Sequence, residues 1–247
     1  MAASRKAAST PAPVAPHFST AGLRFLRALV RNNDREWFNA RKTVYEDEIK
    51  RPMLAVIERV TNAMMDFAPG HMRAPERILL RIYRDTRFSH DKRPYKQHVA
   101  AWWLLDGLAK TSGAGFYMHV SGKEVVMAAG AFMPDASQML AIRRHLLEHH
   151  EEYRRIRKAR SLVNRMPDDE SGQPLVRSPK GFPANHPAAD LFRKKRWGCG
   201  VTLAAEAATK ASFAQCVADH FRAAGPLVAF LNAPLCLREE RPRRPLF

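Results

Sequence analysis

The chain has 247 residues, of which 46% are hydrophobic and 26% are charged, a balance typical of a globular protein rather than a disordered or fibrous one. No apolar run approaches the roughly 20 residues of a membrane-spanning helix, so we expect no membrane insertion. The 41 Lys and Arg residues against 24 Asp and Glu residues give a formal net charge of +17, which can attract polyanions but can equally reflect a compositional bias.

The two ends of the chain differ from the rest in composition. Residues 1–17 are basic and rich in Ala, Ser and Pro but lack the apolar centre of a secretory signal, and residues 237–247 are again basic. We therefore predict a disordered basic tail at residues 1–17, a single domain at residues 18–236 and a basic carboxy-terminal tail at residues 237–247. The three cysteines are odd in number and widely spaced, which favours reduced thiols and a cytoplasmic location.

The first third of the domain carries the signals of helices. Ser19 or Thr20 can cap a first helix and Asp34 a second, because their side-chain oxygens accept hydrogen bonds from unpaired backbone N–H groups. Leucines recur at helical spacing in the first of these segments. Pro52 is expected either to kink the second helix or to begin a new one.

From Arg77 the apolar period changes to the alternation of a β-strand, which predicts a strand at residues 77–83. Four further strands are predicted at residues 98–105, 115–120, 124–132 and 197–204. The short link Ser121-Gly122-Lys123 predicts an antiparallel hairpin between the second and third of these.

Helices are predicted on either side of the last strand. One begins after Pro134-Asp135 and is expected to break near His149-His150, and the other runs from about residue 212 to residue 231. Helices, then successive strands, then helices again favour an α+β fold. We expect an antiparallel or mixed central sheet covered by helices in a single domain.

Charged residues are densest between the first two predicted strands. The cations of residues 81–96 are Arg81, Arg84, Arg87, Lys92, Arg93 and Lys96, and the acids are Asp85 and Asp91. Guanidinium forks match pairs of phosphate or carboxylate oxygens, so Arg81, Arg84 and Arg87, three residues apart, could converge on an anion. The alternative is that the charges of this segment pair with one another.

The residue types of this segment suggest two sets of roles. The candidate catalytic residues are Asp85, Asp91 and Tyr95, which could orient the cations or transfer a proton. The candidate ligand-binding residues are Arg81, Arg84, Arg87, Ser89, Lys92 and Lys96, together with His119 on the outer face of a predicted strand and Lys180 in a late loop. The sequence predicts no metal site and no cofactor.

The same segment also carries a resemblance. The run RDTRFSHDKRPYK at residues 84–96 resembles the signature of an uncharacterised bacterial and fungal family, domain of unknown function 2461. Residues 32–38, 115–119 and 179–187 resemble further segments of that family in the same order, so the likeness covers about residues 18–235. The resemblance implies no known activity, but it adds weight to a functional role for the segment.

Three functions remain compatible with the sequence. The preferred one is a cleft that binds or processes a phosphate-bearing, anionic small molecule through Arg81, Arg84 and Arg87. The second is a non-catalytic nucleic-acid-binding module that uses the basic surface, and the third is a structural protein in which the segment forms an internal salt-bridge network. Unpaired arginine forks in a concave site favour the first, whereas Arg84 and Arg87 paired and closed from solvent favour the third.

Overall fold

The computed structural model describes residues 15–87, 89–107, 113–167 and 172–236. The predicted carboxy-terminal tail and most of the predicted amino-terminal tail lie outside these residues. The helices are α1 (Thr20–Arg31), α2 (Arg35–Asn39), α3 (Lys42–Tyr45), α4 (Arg51–Ala63), α5 (Pro75–Ile78), α6 (Ala136–Lys158), α7 (Arg160–Val163), α8 (Ala189–Phe192) and α9 (Phe213–Cys236). The strands are β1 (Leu79–Leu80), β2 (His98–Leu104), β3 (Gly115–Ser121), β4 (Glu124–Ala131) and β5 (Trp197–Ala204). Among the described residues, no helix combines the length and the apolar character needed to cross a membrane.

The amino-terminal helices begin where their capping residues predict. Ser19 accepts a hydrogen bond from the backbone N–H of Gly22 at the start of α1, and Asp34 caps α2 in the same way. A π-helical turn, Glu46–Lys50, joins α3 to α4. The backbone stays helical through Tyr45, Lys50 and Arg51, so α3, this turn and α4 follow one another without a break in the helical backbone. Pro52 is the second residue of α4 and directly follows the π-helical turn, a local deformation of the kind that accompanies a proline without a backbone N–H.

The strands of the described chain form one antiparallel sheet in the order β1-β2-β3-β4-β5, which confirms the predicted α+β fold. The predicted hairpin joins β3 to β4, and in its turn Ser121 Oγ accepts hydrogen bonds from the N–H groups of Lys123 and Glu124. Because successive strands run in opposite directions, β1 and β3 end where β2 and β4 begin. We call this the hairpin end of the sheet.

The two faces of the sheet differ in burial. On one face the side chains are buried against α9, where the ring of Phe221 lies 5.3 Å from Trp103 and 5.2 Å from Phe116 between centroids. On the other face His98 and Tyr117 are only half-buried. This difference follows from the two-residue period of strands, which sends alternate side chains to opposite faces. The second face therefore brings polar side chains toward the surface.

The strand predicted at residues 77–83 is shorter in the structure. Pro75 begins the short helix α5, and only Leu79–Leu80 then pairs with β2 as a strand. The predicted break in the long helix is confirmed, because His149 has φ −123° and ψ 27° inside α6. The predicted last helix is confirmed as α9.

Candidate functional site

Residues 84–93 form the loop at the end of the charged segment, and we call this loop the tip. At its base the backbone N–H of Arg84 donates to the carbonyl of Pro94 at 2.9 Å, and the N–H of Lys96 donates to the carbonyl of Ile82 at 2.8 Å. The two ends of the charged segment therefore run antiparallel, side by side, and continue the direction of β1 and β2.

Between the sheet and the tip the strand pairing is irregular. β1 ends with the pair Leu80–Ala100, and the next pair is Tyr83–Tyr95. Residues 81–82, after β1, thus lie opposite residues 96–99 of the other strand. Such a bulge bends the chain and redirects the side chains around it. The polar residues of the bulge are Arg81, Lys96, Gln97 and His98.

The base of the tip is fixed to the core by Tyr95. Its side chain is 2% exposed and stacks on Phe38 of α2 with ring centroids 4.0 Å apart. The amide of Asn33 completes this attachment, since its Nδ2 donates to the Tyr95 carbonyl at 3.1 Å and its Oδ1 accepts from the Tyr95 N–H at 3.0 Å. The structure thus places Tyr95, a predicted catalytic residue, in the core, where burial raises the pKa of its hydroxyl.

The acids of the tip are held by the arginines of the tip. Asp85 accepts two hydrogen bonds from the Arg87 guanidinium, at 2.8 and 3.0 Å. Asp91 accepts hydrogen bonds from Arg93 and Arg84, each at 2.6 Å. The side chain of Arg84 is 25% exposed, whereas that of Arg87 is 77% exposed. The guanidinium groups of Arg84 and Arg87 are therefore paired with carboxylates but remain accessible to solvent. This arrangement matches neither the unpaired forks expected of an anion site nor the closed pairs expected of an internal salt-bridge network.

These hydrogen bonds also set the protonation of the two acids. The bond from the Arg87 side chain is the main cause that lowers the pKa of Asp85 to about 2, and the bond from Arg93 is the main cause that lowers the pKa of Asp91. Both carboxylates are ionised at neutral pH and take up a proton poorly. Of the two roles predicted for them, this arrangement favours the orientation of arginines over proton transfer.

The remaining predicted ligand-binding residues fall into different places. Within the tip, the Lys92 ammonium donates to the carbonyl of Thr86 at 3.1 Å, and the backbone N–H of Ser89 donates to the same carbonyl at 3.4 Å. Lys180 belongs to a loop that precedes α8 and β5, and β5 is the sheet edge opposite β1. Lys180 is therefore far from the tip along the chain, in a loop that leads toward the other edge strand of the sheet.

A second group of predicted residues meets at the bulge, where the charges are not paired. Lys96 is half-buried, and its pKa is lowered first by burial and then by repulsion from Arg81. Within the described part of the chain, neither Lys96 nor Arg81 has an ion-pair partner. Arg81 also helps to lower the pKa of Asp85, but the oxygens of that carboxylate are bonded to Arg87. The bulge therefore holds two cations that no carboxylate of the described chain neutralises directly.

His98 and His119 stack beside these cations, with ring centroids 4.6 Å apart and ring planes inclined by 29°. We call them the imidazole pair. Burial, His119 and Lys96 together lower the pKa of His98 to about 4, and burial lowers the pKa of His119. Both rings are therefore neutral at pH 7, and each still offers one N–H donor.

Tyr117 determines how His119 presents that donor. The Tyr117 hydroxyl lies 3.1 Å from Nδ1 of His119, and burial raises its pKa to about 12, so the hydroxyl stays protonated. When this hydroxyl donates to Nδ1, the imidazole proton is on Nε2. His119 then presents a donor, rather than an acceptor, at the nitrogen that Tyr117 does not contact.

The imidazole pair also lines an open depression of about 540 Å³ at the hairpin end of the sheet. The rest of the lining comes mainly from the last turns of α1 and from the β3–β4 turn. Arg31 of α1 and Lys123 of the turn are exposed, and neither has an ion-pair partner among the described residues. Arg27 is instead bonded to Glu206 at 2.6 Å. Glu124 is the only acid among the described residues of the lining, so the depression is basic on balance.

The structure thus brings two predicted residues, Lys96 and His119, beside His98, which the sequence did not single out. Arg81 lies near Lys96 but lines a separate depression together with Lys42 and Glu46. One sequence signal does point to His98, because it follows Lys96 by two positions and so lies on the same side of an extended chain. The stacking of His98 on His119 is set by the strand register, which pairs His98 with Ser121 and makes His119 its diagonal neighbour.

Comparison with known proteins identifies one family. The family model described as a conserved hypothetical protein, domain of unknown function 2461, matches residues 21–230. The match spans the tip, the bulge and all residues that line the depression. No curated protein and no solved structure matches the chain significantly.

Proposed function

We propose a function for this chain, which belongs to the conserved hypothetical family DUF2461. The function is to bind a phosphate-bearing small molecule at the imidazole pair and the depression beside it. The observation that carries this proposal is the half-buried Lys96, which has no paired carboxylate in the described chain and lies near Arg81 on one side and near His98 of the imidazole pair on the other. A phosphate group offers several acceptor oxygens and up to two negative charges, and so suits convergent cations and N–H donors.

The energetics of Lys96 support a ligand rather than a structural role. Burying a cation without a partner is unfavourable, and the lowered pKa of Lys96 expresses that penalty. A bound anion would neutralise Lys96 and Arg81 together and so relieve the penalty. Because Lys96 is half-buried in the folded chain, little further ordering of its side chain would oppose binding.

The geometry also favours the bulge over the tip as the place of the anion. The arginine forks of the tip are engaged by Asp85 and Asp91, and an anion would have to compete with those carboxylates. The depression beside the imidazole pair, at about 540 Å³, lies within the ~300–1,000 Å³ of typical small-molecule sites. We therefore assign the anion to Lys96 of the bulge, assign the rest of the ligand to the depression that His98 and His119 line, and assign the arginine–aspartate pairs to the shape of the tip.

Two lysines of the same segment provide a matched test. Lys96→Gln removes the half-buried cation, whereas Lys92→Gln removes an exposed one that donates only to the Thr86 carbonyl in the described chain. We would measure melting temperature and calorimetric affinity for inorganic phosphate and pyrophosphate at constant ionic strength. A ligand at 100 times its dissociation constant adds about 2.7 kcal/mol, which is roughly 5–10 °C for a chain of this size.

The expected result is a loss of affinity of about tenfold or more, ~1.4 kcal/mol, in Lys96→Gln and no change in Lys92→Gln. Without ligand, Lys96→Gln should melt at the same temperature as the parent or higher, because a half-buried unpaired cation has been removed. An equal loss of phosphate affinity in both variants would indicate non-specific electrostatic attraction. If phosphate still raises the melting temperature of Lys96→Gln as it does that of the parent, the anion binds elsewhere.

A further inference from the structure

The cations around the imidazole pair form two separate groups. Arg81 and Lys96 follow β1 and precede β2, while Lys123 belongs to the turn between β3 and β4. The sheet order places the imidazole pair, which comes from β2 and β3, between these positions. Arg31, at the end of α1, lines the same depression as Lys123. The site thus has one basic group on each side of the two stacked rings.

The spacing between the groups follows from the sheet. Adjacent strands lie about 4.8 Å apart, so the backbone at Arg81 and the backbone at Lys123 are two to three strand spacings, roughly 10–14 Å, from each other. A single phosphate cannot contact both groups without drawing long side chains together. Two phosphates joined by a short organic body can contact one group each.

The second group keeps a positive charge of its own. Arg31 and Lys123 are exposed and have no ion pair in the described part of the chain, and the depression that they share contains one acid, Glu124. Arg27 does not add to the free charge, because it is bonded to Glu206 and to the Gly122 carbonyl. Those bonds instead attach α1 to the β3–β4 turn and hold this side of the depression in shape.

We infer that the ligand carries two separate phosphate groups, one bound at Arg81 and Lys96 and the other at Arg31 and Lys123, with its organic body over the imidazole pair. This inference rests on the proposed function and specifies its ligand class. The neutral imidazole pair, which lines the depression, suits the uncharged body of such a ligand better than a third charged group.

Simple probes of defined length test the two-phosphate inference. We would measure by calorimetry the affinities of hexyl phosphate, hexanediol bisphosphate and ethanediol bisphosphate at constant ionic strength. Hexanediol bisphosphate should bind at least tenfold more tightly than hexyl phosphate, because its two phosphates can reach both groups. Ethanediol bisphosphate should show little of this gain, since its phosphates are too close together to span the site.

Variants on α1 locate the second phosphate. Arg31→Gln should lower the affinity for hexanediol bisphosphate more than the affinity for hexyl phosphate, and so remove most of the gain of the bisphosphate. Lys123→Gln should do the same from the β3–β4 turn. Arg24→Gln is the matched control, because Arg24 is an exposed arginine of α1 that does not line the depression, and it should leave the gain intact. Circular dichroism confirms that each variant folds.

The outcomes separate this inference from the proposed function. If hexyl phosphate binds in a manner that depends on Lys96 but hexanediol bisphosphate binds no more tightly, the two-phosphate inference is wrong and the proposed function stands. If Arg31→Gln and Arg24→Gln reduce the affinity gain of hexanediol bisphosphate equally, the inference is also wrong, since non-specific attraction to the positively charged protein then explains the gain. If inorganic phosphate and all three probes fail to bind, the proposed function is wrong and the inference fails with it.

Discussion

The tip and the bulge are adjacent in the sequence, but their cations differ in whether a carboxylate pairs with them. In the tip, each acid accepts hydrogen bonds from the backbone N–H and from the guanidinium of the arginine two residues later, as Asp85 does from Arg87 and Asp91 from Arg93. At the bulge, Lys96 and Arg81 have no such partner within the described chain. The density of charge in a segment therefore indicates less about binding than the balance of cations against nearby acids.

The largest expected effect concerns what holds the tip in place. Phe38→Ala should lower the free energy of unfolding by about 3–5 kcal/mol, the usual loss for a buried Phe, because its ring packs against Phe25 and Tyr45 as well as against Tyr95 at the base of the tip. Urea denaturation measures this loss. Val44→Ala, at an exposed apolar residue nearby in the chain, is the matched control and should change stability little. A loss below about 1 kcal/mol in Phe38→Ala would show that the base of the tip is not anchored at this stack.

A smaller effect concerns the imidazole pair and pH. The fold lowers the pKa of His98 from 6.5 to about 4, so between these values the unfolded chain binds a proton that the folded chain does not. Stability should therefore fall as the pH decreases from about 6.5 to about 4, by about 1–2 kcal/mol once solvent screening of this half-buried group is considered. Urea denaturation at a series of pH values measures the slope.

The variant His98→Gln should flatten that slope, because it removes the buried ring and also its repulsion of Lys96 and His119. His90→Gln is the control, since His90 is an exposed histidine of the tip, and it should leave the slope as in the parent. An unchanged slope in His98→Gln would show that another group causes the loss of stability in acid.

Much of the fold is readable from local signals in the sequence. The caps at Ser19 and Asp34, the hairpin at residues 121–123 and the break at His149 are each set by a few neighbouring residues, and all four are confirmed. The strand predicted at residues 77–83 is wrong in extent, because the alternation of its side chains did not reveal the helical turn begun by Pro75 or the bulge beyond Leu79–Leu80.

The site is less predictable because it depends on pairings between distant segments. The sequence shows that Asp85 and Asp91 stand near arginines, but it does not show which forks they engage. Only the register of β2 on β3 places His98 against His119, and only the fold brings Phe38 under Tyr95. Residue type therefore indicates the chemistry of the segment, whereas burial and pairing indicate which of its residues remain available to a ligand.

The smallest expected effect on stability comes from the pair Asp85–Arg87, whose side chains are both exposed. The pair lowers the pKa of Asp85 from 3.8 to about 2, so its contribution is present above pH of about 4 and is lost as the pH falls toward 2. Arg87→Gln should leave the melting temperature at pH 7 close to that of the parent, because exposed ion pairs stabilise a fold only weakly. In the same variant the carboxyl carbon of Asp85, followed by NMR, should titrate closer to 3.8.

The same variant distinguishes the tip from the bulge as the place of the anion. If the arginines of the tip only hold its aspartates, Arg87→Gln changes the titration of Asp85 but leaves the affinity for inorganic phosphate as in the parent. Arg177→Gln, at an exposed arginine of a distant loop, controls for the loss of one positive charge. A fall in phosphate affinity in Arg87→Gln that Arg177→Gln does not share would return the anion to the tip, because the fork of Arg87 would then be exchanging Asp85 for the ligand.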